Sequence, residues 1–290
     1  MLARRLLALI PILALLVVAP GAPAFAAQGP TVAALRESGA SEVSDVYLRL
    51  PQSNPNGPLQ VLVALHGMGG NGLDFGGALA SQADANGWLI IAPTIHYGDW
   101  TNPEVIGRED PALIAWLSHY VETLTERTGI PVEPKVLLFG HSRGAQLALR
   151  FTEINPDQVA GVAAVSAGTY TLPFSTDARS GQPLEFPFGV ANLAQTDGGE
   201  SFDASDFSTV PIWIGVGATD NNTADVPAAW SPYIGSSRVD RARNFASALQ
   251  LLGADVSLTV FPNTDHTLTD AMRQTGCARL RAATDDDADA

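Results

Sequence analysis

The sequence predicts an α/β fold, in which a mostly parallel, doubly wound sheet is covered by helices on both faces. The first observation is a set of six short, almost uninterrupted apolar runs, typical of strands that are buried on both faces of a parallel sheet. The second is that segments with helical periodicity separate these runs. The apolar runs are 59–65, 88–92, 136–139, 159–165, 211–216 and 256–261. The helical segments are 77–86, 111–128, 145–155, 238–252 and 267–283, the second with Pro111 in its first turn.

A further strand is predicted ahead of these runs. Residues 42–50 alternate loosely between apolar and polar side chains and are rich in strand formers. They are followed by 51–58, where proline, asparagine and glycine give a strong turn signal. We therefore expect an antiparallel hairpin at the edge of the sheet. The chain has 290 residues, 46% hydrophobic and 16% charged, which fits one large domain with a sizeable core.

The N-terminus has the three-part pattern of a secretory signal peptide. Arg4 and Arg5 precede an apolar stretch at 6–18, and small residues at 24–27 provide a cleavage site. The apolar stretch contains Pro11 and is shorter than the roughly 20 residues that span a bilayer, which argues against an uncleaved membrane anchor. We expect residues 1–27 to be removed and the mature protein to be secreted, into the periplasm or outside the cell.

Charge and cysteine content indicate which partners and cross-links this protein can have. The formal net charge is −14, and loss of the two signal-peptide arginines changes it to −16. Nucleic-acid binding requires basic patches, so no nucleic-acid partner is expected. Four aspartates in residues 284–290 predict a solvated, disordered tail after a domain spanning 28–283. Cys277 is the only cysteine, so no intrachain disulfide can form, and we interpret it as a small packed residue on the last helix.

One connection interrupts the alternation of strands and helices. Residues 167–209 lack clear periodicity. A connection of this length in a compact domain is usually functional. We interpret this insert as a lid or pocket wall, with a mobile surface loop as the alternative. Its acidic residues lack the spacing of a calcium loop, so a solvated loop is favoured and no metal is expected. These residues are Asp197, Glu200, Asp203 and Asp206.

A chemically suggestive motif lies where a predicted strand meets a predicted helix. The sequence Gly140-His141-Ser142-Arg143-Gly144 follows the run at 136–139 and precedes the helix that starts at 145. Glycines on both sides permit a sharp turn that presents the serine at the carboxyl end of the sheet. The pattern alone is weak, and a structural serine that caps the helix is the alternative. Its context makes Ser142 the predicted nucleophile.

A serine nucleophile needs a general base and a third group that orients the base. For a serine on such a turn, an acid and then a histidine follow in the chain. His266 is the only histidine after Ser142 and lies in the loop after the last predicted strand. Asp220 follows the strand at 211–216 and is the predicted acid. Asp225, deeper in the same loop, and Asp265, adjacent to the histidine, are its rivals.

Attack on a carbonyl creates a negative oxygen that backbone N–H groups can stabilise. The N–H of Arg143, directly after the serine, is one candidate donor. The glycine-rich loop at 65–72 follows the first parallel strand and supplies the second, for which we choose Met68. We interpret His66, in the same loop, as a residue that braces the loop rather than as an acid or base.

Aromatic residues near the same sheet edge are candidates for a substrate pocket. His96, Tyr97 and Trp100 follow the strand at 88–92, and Trp230 follows Asp220. These rings would bind an acyl chain or an aromatic acid, or alternatively pack the loops.

Together, the loop at 65–70, the motif at 140–144, the loop ending at Asp220 and the Asp265-His266 loop resemble the α/β-hydrolase superfamily over residues 59–283. The layout is similar to secreted bacterial esterases grouped with polyhydroxybutyrate depolymerases, feruloyl esterases and the phospholipase/carboxylesterase branch. This resemblance implies a Ser-His-Asp triad, an acyl-enzyme and no cofactor. Arg143 stands where those enzymes commonly have a small or amide residue.

The expected function is hydrolysis of carboxylic esters, small or polymeric, by a secreted serine enzyme without a stable membrane anchor. A serine peptidase or acyltransferase on the same fold is the alternative, followed by a catalytically inactive binding protein, for which a broken triad would be expected.

Overall fold

The structure, a computed structural model, describes residues 32–35, 42–52, 57–196 and 201–287. The predicted signal peptide, residues 1–27, lies outside the described residues. The description below concerns the described ranges only.

An eight-stranded sheet forms the centre of the described chain. The strands are β1 (Val32–Leu35), β2 (Val43–Arg49), β3 (Val61–Leu65), β4 (Leu89–Ile95), β5 (Val136–His141), β6 (Val159–Val165), β7 (Ile212–Gly217) and β8 (Val256–Phe261). Their order is β1-β2-β4-β3-β5-β6-β7-β8. The strands from β4 to β8 in this order are parallel, whereas β1 and β2 are antiparallel additions at one edge. All six predicted apolar runs are strands, which confirms the mostly parallel sheet.

Helices cover both faces of the sheet. They are α1 (Gly72–Ala78), α2 (Ala80–Asn86), α3 (Pro103–Glu122), α4 (Leu124–Thr128), α5 (Arg143–Ile154), α6 (Leu193–Thr196), α7 (Ala204–Thr209), α8 (Ser231–Ile234), α9 (Arg238–Leu252) and α10 (Asp270–Asp287). Side chains from α1, α2 and α10 pack on one face, and side chains from α3, α5 and α9 pack on the other. Strands β3, β4, β6 and β7 are consequently buried along their whole length.

One predicted helix start is wrong, and the predicted hairpin forms with a different strand. Helix α3 begins at Pro103, not at Pro111, because the Asn102 side chain caps it by accepting a hydrogen bond from the Glu104 N–H and Pro103 occupies its first turn. Pro111 therefore lies inside the helix. The expected antiparallel hairpin at the sheet edge is present, but β2 forms it with β1 and not with β3, and β2 pairs with β4 on its other side.

The insert at 167–209 is packed against the core where it is described. It contains the short helices α6 and α7 and otherwise has no long regular element. Tyr170 and Leu184 are buried, and the Phe188 ring lies 4.6 Å from the Trp230 ring, centroid to centroid. This packing argues against the alternative of a mobile surface loop.

The last helix extends beyond the predicted domain boundary. Helix α10 continues past residue 283 to Asp287, so part of the predicted disordered tail is helical. An ion pair between Arg281 and Asp285 at 3.6 Å, one helical turn apart, supports this extension.

Cys277 is buried in the same helix, and burial raises its pKa to about 12. Among the described residues, helices of the length and apolarity required for a transmembrane span are not found.

Candidate active site

Four loops at the carboxyl ends of parallel strands carry the predicted catalytic and oxyanion residues. Met68 follows β3, Ser142 follows β5, Asp220 follows β7 and His266 follows β8. Because these strands are parallel members of one sheet, their loops meet at the same edge.

Ser142 lies in a strained turn between β5 and α5. Its φ of 54° and ψ of −114° are values that a non-glycine residue rarely adopts. A Cβ on Gly140 would lie 2.5 Å from the Gly144 carbonyl oxygen, and a Cβ on Gly144 would lie 2.0 Å from the Leu65 carbonyl oxygen. The turn therefore requires both glycines. The Ser142 side chain makes no capping hydrogen bond to α5, which argues against a purely structural serine.

Ser142, His266 and Asp220 form one hydrogen-bonded chain. His266 Nε2 lies 3.0 Å from Ser142 Oγ, and His266 Nδ1 lies 2.8 Å from Asp220 Oδ2. If Nδ1 donates its proton to the carboxylate, the lone pair of Nε2 faces the serine hydroxyl. The structure thus brings together the three residues predicted to be catalytic.

Asp220 is buried, and each of its two carboxylate oxygens has a hydrogen-bond partner. Arg238 Nη1 donates to Asp220 Oδ1 at 3.1 Å, while His266 contacts the other oxygen. Burial acts to raise the pKa of Asp220, but the His266 hydrogen bond and the Arg238 charge outweigh it, so the pKa lies below its ordinary value. The carboxyl group is therefore ionised at neutral pH.

The two rival acids have other partners. Asp225 Oδ2 accepts a hydrogen bond from Asn222 Nδ2 at 2.8 Å, and Asp265 Oδ1 accepts one from the Thr267 N–H at 3.0 Å. Among the described contacts, Asp220 is the carboxylate that meets the His266 ring.

The glycine-rich loop after β3 approaches Ser142 closely. A Cβ on Gly67 would lie only 3.2 Å from Ser142 Cβ. The Gly70 N–H donates to the Gly67 carbonyl at 3.1 Å and closes a turn that contains Met68. Within the described residues, neither the Met68 N–H nor the Arg143 N–H has a protein acceptor. Both residues line the cavity beside Ser142, as an oxyanion site requires.

His66 links this loop to the neighbouring strand. Its Nε2 accepts a hydrogen bond from the Ile95 N–H of β4 at 2.9 Å, and its Nδ1 lies 2.6 Å from the Gly67 carbonyl oxygen. The ring is buried, and burial lowers its pKa. These contacts fit a bracing role.

A cavity of about 320 Å³ opens beside Ser142 and His266. Its other walls include Trp100, His141, Gln146, Asp225 and Arg238, together with the 67–68 loop. None of the described residues of the insert at 167–209 lines this cavity. The expectation that the insert forms a pocket wall is therefore not met, because its aromatic side chains are turned into the core.

Only Trp100 of the four predicted pocket residues lines the cavity. His96 is exposed elsewhere, and Tyr97 is buried with its ring centroid 4.8 Å from the Arg143 guanidinium. Trp230 is buried, and its indole N–H donates to the Tyr170 carbonyl at 3.0 Å. The assignment of His96, Tyr97 and Trp230 to the pocket is wrong, since the two buried rings pack the loops around the site.

The guanidinium of Arg143 enters a buried ion network between α3 and α5. It contacts Asp110, and it lies 3.1 Å from Glu109. Asp110 also accepts from Arg150 at 2.7 Å. Burial acts to raise the pKa of Asp110, but the charges of Arg143 and Arg150 outweigh it and hold that pKa below its ordinary value. The side chain of Arg143 thus anchors the first turn of α5, while its N–H faces the site.

Sequence reasoning missed three cavity residues. The His141 ring lies 5.2 Å from the His266 ring, centroid to centroid, and burial with the His266 charge lowers its pKa to about 4. Gln146 follows Ser142 by one helical turn, a spacing that could have identified it. Arg238 begins α9, far along the chain, and no local pattern connects it to the site.

Metal binding finds no support in the described residues, where no group of three or more His, Cys, Asp or Glu side chains is placed to hold an ion. Of the acidic residues in the insert, Asp197 and Glu200 lie outside the described residues. Asp203 caps α7 by accepting hydrogen bonds from the N–H groups of Ser205 and Asp206.

Comparisons with known proteins give different results for sequence and for structure. No protein-family model matches the chain, and no curated protein matches it. Among solved structures, poly(aspartic acid) hydrolase-1 from Sphingomonas sp. KT-1 is similar with a TM-score of 0.64 and 20% identity, covering 89% of this chain and 98% of that one. The poly(3-hydroxybutyrate) depolymerase LpqC from Bordetella parapertussis gives a TM-score of 0.64 and 22% identity, covering 88% of each chain.

The chain has the α/β-hydrolase fold. A ferulic acid esterase from Anaeromyces mucronatus, solved with ferulic acid, is a further similar structure, with a TM-score of 0.56 and 15% identity over 89% of this chain and 92% of that one. The predicted fold and the predicted resemblance to depolymerases and feruloyl esterases are confirmed at the level of architecture.

Proposed function

We propose that this protein is a secreted serine hydrolase that cleaves carboxylic esters through Ser142, His266 and Asp220. The observation that carries the proposal is the hydrogen-bonded chain from Asp220 through His266 to Ser142, which ends beside an open cavity. The similar solved structures include a depolymerase and a ferulic acid esterase, which supports a hydrolase in general terms.

The first half of the reaction forms an acyl-enzyme. Ser142 Oγ attacks the ester carbonyl carbon while its proton moves to His266 Nε2, and Asp220 stabilises the resulting imidazolium. The carbonyl oxygen becomes negative and accepts hydrogen bonds from the N–H groups of Met68 and Arg143. When the tetrahedral intermediate collapses, the bond to the alcohol oxygen breaks and His266 gives that oxygen its proton.

The second half repeats this sequence with water. Water attacks the acyl carbon, loses a proton to His266 Nε2, and forms a second oxyanion in the same site. Collapse releases the carboxylic acid and returns the proton to Ser142 Oγ. Throughout both halves, Arg238 holds the Asp220 carboxylate in its ionised form.

Secretion is proposed from the signal-peptide pattern of residues 1–27. Expression of the full chain in a secreting bacterial host, followed by intact mass measurement of the exported protein, tests it. We expect a mass that corresponds to cleavage near Ala27. An uncleaved chain retained in the cytoplasm would contradict this part of the proposal.

The catalytic proposal is tested by comparing two serine variants. Ser142→Ala should lower kcat for p-nitrophenyl esters of graded acyl length by about 10⁶-fold, since the nucleophile is lost. Ser166→Ala is the matched control, because Ser166 also directly follows a strand and has a similar positive φ of 53°. We expect the control to retain activity within tenfold. Turnover by Ser142→Ala at the wild-type rate would refute the mechanism, and a p-nitroanilide of the same acid distinguishes esterase from peptidase.

A further inference from the structure

The cavity beside Ser142 is lined by two residues whose side chains carry N–H donors without an acceptor among the described residues. Gln146 lies one turn after Ser142 in α5, and its backbone N–H donates to the Ser142 carbonyl at 3.2 Å. Residues four apart on a helix share a face, so the Gln146 side chain lies on the same wall of the cavity as the serine. Arg238 forms part of the same lining.

A buried chain of polar groups fixes the orientation of the Gln146 amide. The Thr169 hydroxyl accepts a hydrogen bond from Arg150 Nη2 at 2.7 Å and donates to Gln146 Oε1 at 2.6 Å. Arg150 is itself held by Asp110. Because arginine can only donate, this arrangement directs the amide oxygen toward Thr169 and leaves Nε2 as a donor. Within the described residues, Gln146 Nε2 has no acceptor.

Arg238 contributes a second donor of this kind. Its Nη1 donates to Asp220 and its Nη2 donates to the Asp225 carbonyl at 2.6 Å, whereas its Nε is buried and has no partner among the described residues. A Cβ on Gly168 would lie 3.1 Å from Gln146 Nε2 and 3.9 Å from Arg238 Nε. Both nitrogens therefore lie close to Gly168, which has no side chain to pair with either of them, and of the two only Gln146 Nε2 is not enclosed.

The charges around these donors favour an oxygen acceptor. Arg241 is fully buried behind them and donates to the carbonyls of Gly168 and Pro227, with no carboxylate partner among the described contacts. Of the nearby carboxylates, Asp220 already pairs with Arg238, and Asp225 is exposed and already accepts from Asn222. A plain alkyl group beside Gln146 would leave its amide N–H donor unpaired, which is unfavourable.

On the basis of the proposed ester hydrolysis, we propose that the Gln146 amide, with the positive charge of Arg238 beside it, forms a subsite for a second oxygen acceptor in the acyl part of the substrate. This oxygen, a carbonyl or a carboxylate, lies about one helical turn, roughly 5 Å, from the scissile carbonyl. Esters of oxo acids and of dicarboxylic acids belong to this class, as do polyesters in which the next ester group supplies the carbonyl. The insert at 167–209 contributes through Thr169, which orients Gln146, although it does not line the cavity.

Binding to the Ser142→Ala protein tests this subsite without any turnover. Titration calorimetry compares three methyl esters of similar length: methyl pentanoate, methyl 4-oxopentanoate and monomethyl succinate. We expect the oxo ester or the succinate ester to bind with a Kd about tenfold lower than that of methyl pentanoate, about one hydrogen bond's worth of discrimination. Preference for the oxo ester indicates a neutral carbonyl, and preference for the succinate ester indicates a carboxylate. Equal affinity for all three, or no binding of any of them, would overturn the subsite.

Two glutamine variants in the Ser142→Ala background locate the effect. Gln146→Met removes the donor and keeps the side chain length, so the preference should fall to within twofold. Gln250→Met makes the same change on an exposed position of α9 and should leave the preference intact. A preference that survives Gln146→Met would refute the assignment. If Gln146→Met does not fold, the comparison of the three esters still tests whether the subsite exists. Failure of the proposed ester hydrolysis would be detected separately, by comparing turnover of the wild type and Ser142→Ala.

Discussion

Two buried carboxylates, Asp220 and Asp110, are both paired with arginine, but their second partners differ. Asp110 is shared by Arg143 and Arg150, whose charges are permanent, and its side chain is fully buried. Asp220 is paired with Arg238 on one oxygen and with His266 on the other, and the His266 side chain is 36% exposed. A buried ion pair therefore does not by itself indicate catalysis. The partner of Asp220 can gain and lose a proton next to a cavity, whereas the partners of Asp110 can only hold helices together.

The largest expected effect comes from Asp220→Asn. The amide cannot stabilise the imidazolium form of His266 and allows the wrong tautomer, so kcat for ester hydrolysis should fall by about 10⁴-fold. Steady-state kinetics at neutral pH measure this loss. A decrease of less than tenfold would show that Asp220 is a structural residue like Asp110, and the distinction between the two carboxylates would fail.

Asp110→Asn should change stability rather than chemistry. Replacing this carboxylate leaves Arg143 and Arg150 buried without their shared counterion, so the free energy of unfolding should fall by about 3–5 kcal/mol. Glu109, 3.1 Å from Arg143, still holds that guanidinium, so kcat per folded molecule should stay within tenfold. Denaturant unfolding and active-site titration separate the two quantities. Unchanged stability together with a 10⁴-fold loss of kcat would reverse the roles assigned to the two carboxylates.

The smallest expected effect is a pH dependence of stability from His141, which faces His266. Burial, with the charge of His266, lowers the pKa of His141 from 6.5 to about 4. Between these values the unfolded chain binds the proton and the folded chain does not, so the free energy of unfolding falls as pH falls from 6.5 to 4. Asp220 and Asp110 titrate below their ordinary range and add their losses at lower pH.

The control for this prediction is His141→Asn. Chemical denaturation of both proteins at pH 7, 5 and 4 should show a steeper loss for the wild type than for the variant. Parallel pH profiles for the two proteins would show that His141 takes up its proton equally in the folded and unfolded states.

Features that depend on the burial of a whole element or on the geometry of one turn could be predicted from the sequence. The apolar runs predicted the parallel strands because burial on both faces leaves little room for polar residues. The glycines around Ser142 predicted the turn because side chains at positions 140 and 144 would meet the backbone at 2.5 Å or less. The single downstream histidine and the loop position of Asp220 then sufficed to predict residues that the structure places together.

Features that depend on distant contacts could not be predicted. The start of α3 is an exception, since its Asn102 cap and Pro103 are local signals in the sequence. Tyr97 and Trp230 lie in loops at the same sheet edge as the site, yet both rings are buried. Tyr97 packs on Arg143 and Trp230 bonds to Tyr170, and no local sequence pattern identifies these partners. The pairing of Arg238 with Asp220 joins a helix to a loop and likewise has no sequence signal.

The most direct test of the triad is the site at which a fluorophosphonate modifies the protein. Mature protein is treated with the reagent, digested and analysed by mass spectrometry, with Ser142→Ala treated in parallel. We predict one adduct per chain, on the peptide that contains Ser142, and none on the variant. No adduct on the wild type, or an adduct on another serine such as Ser166, would contradict the assignment of Ser142 as the nucleophile.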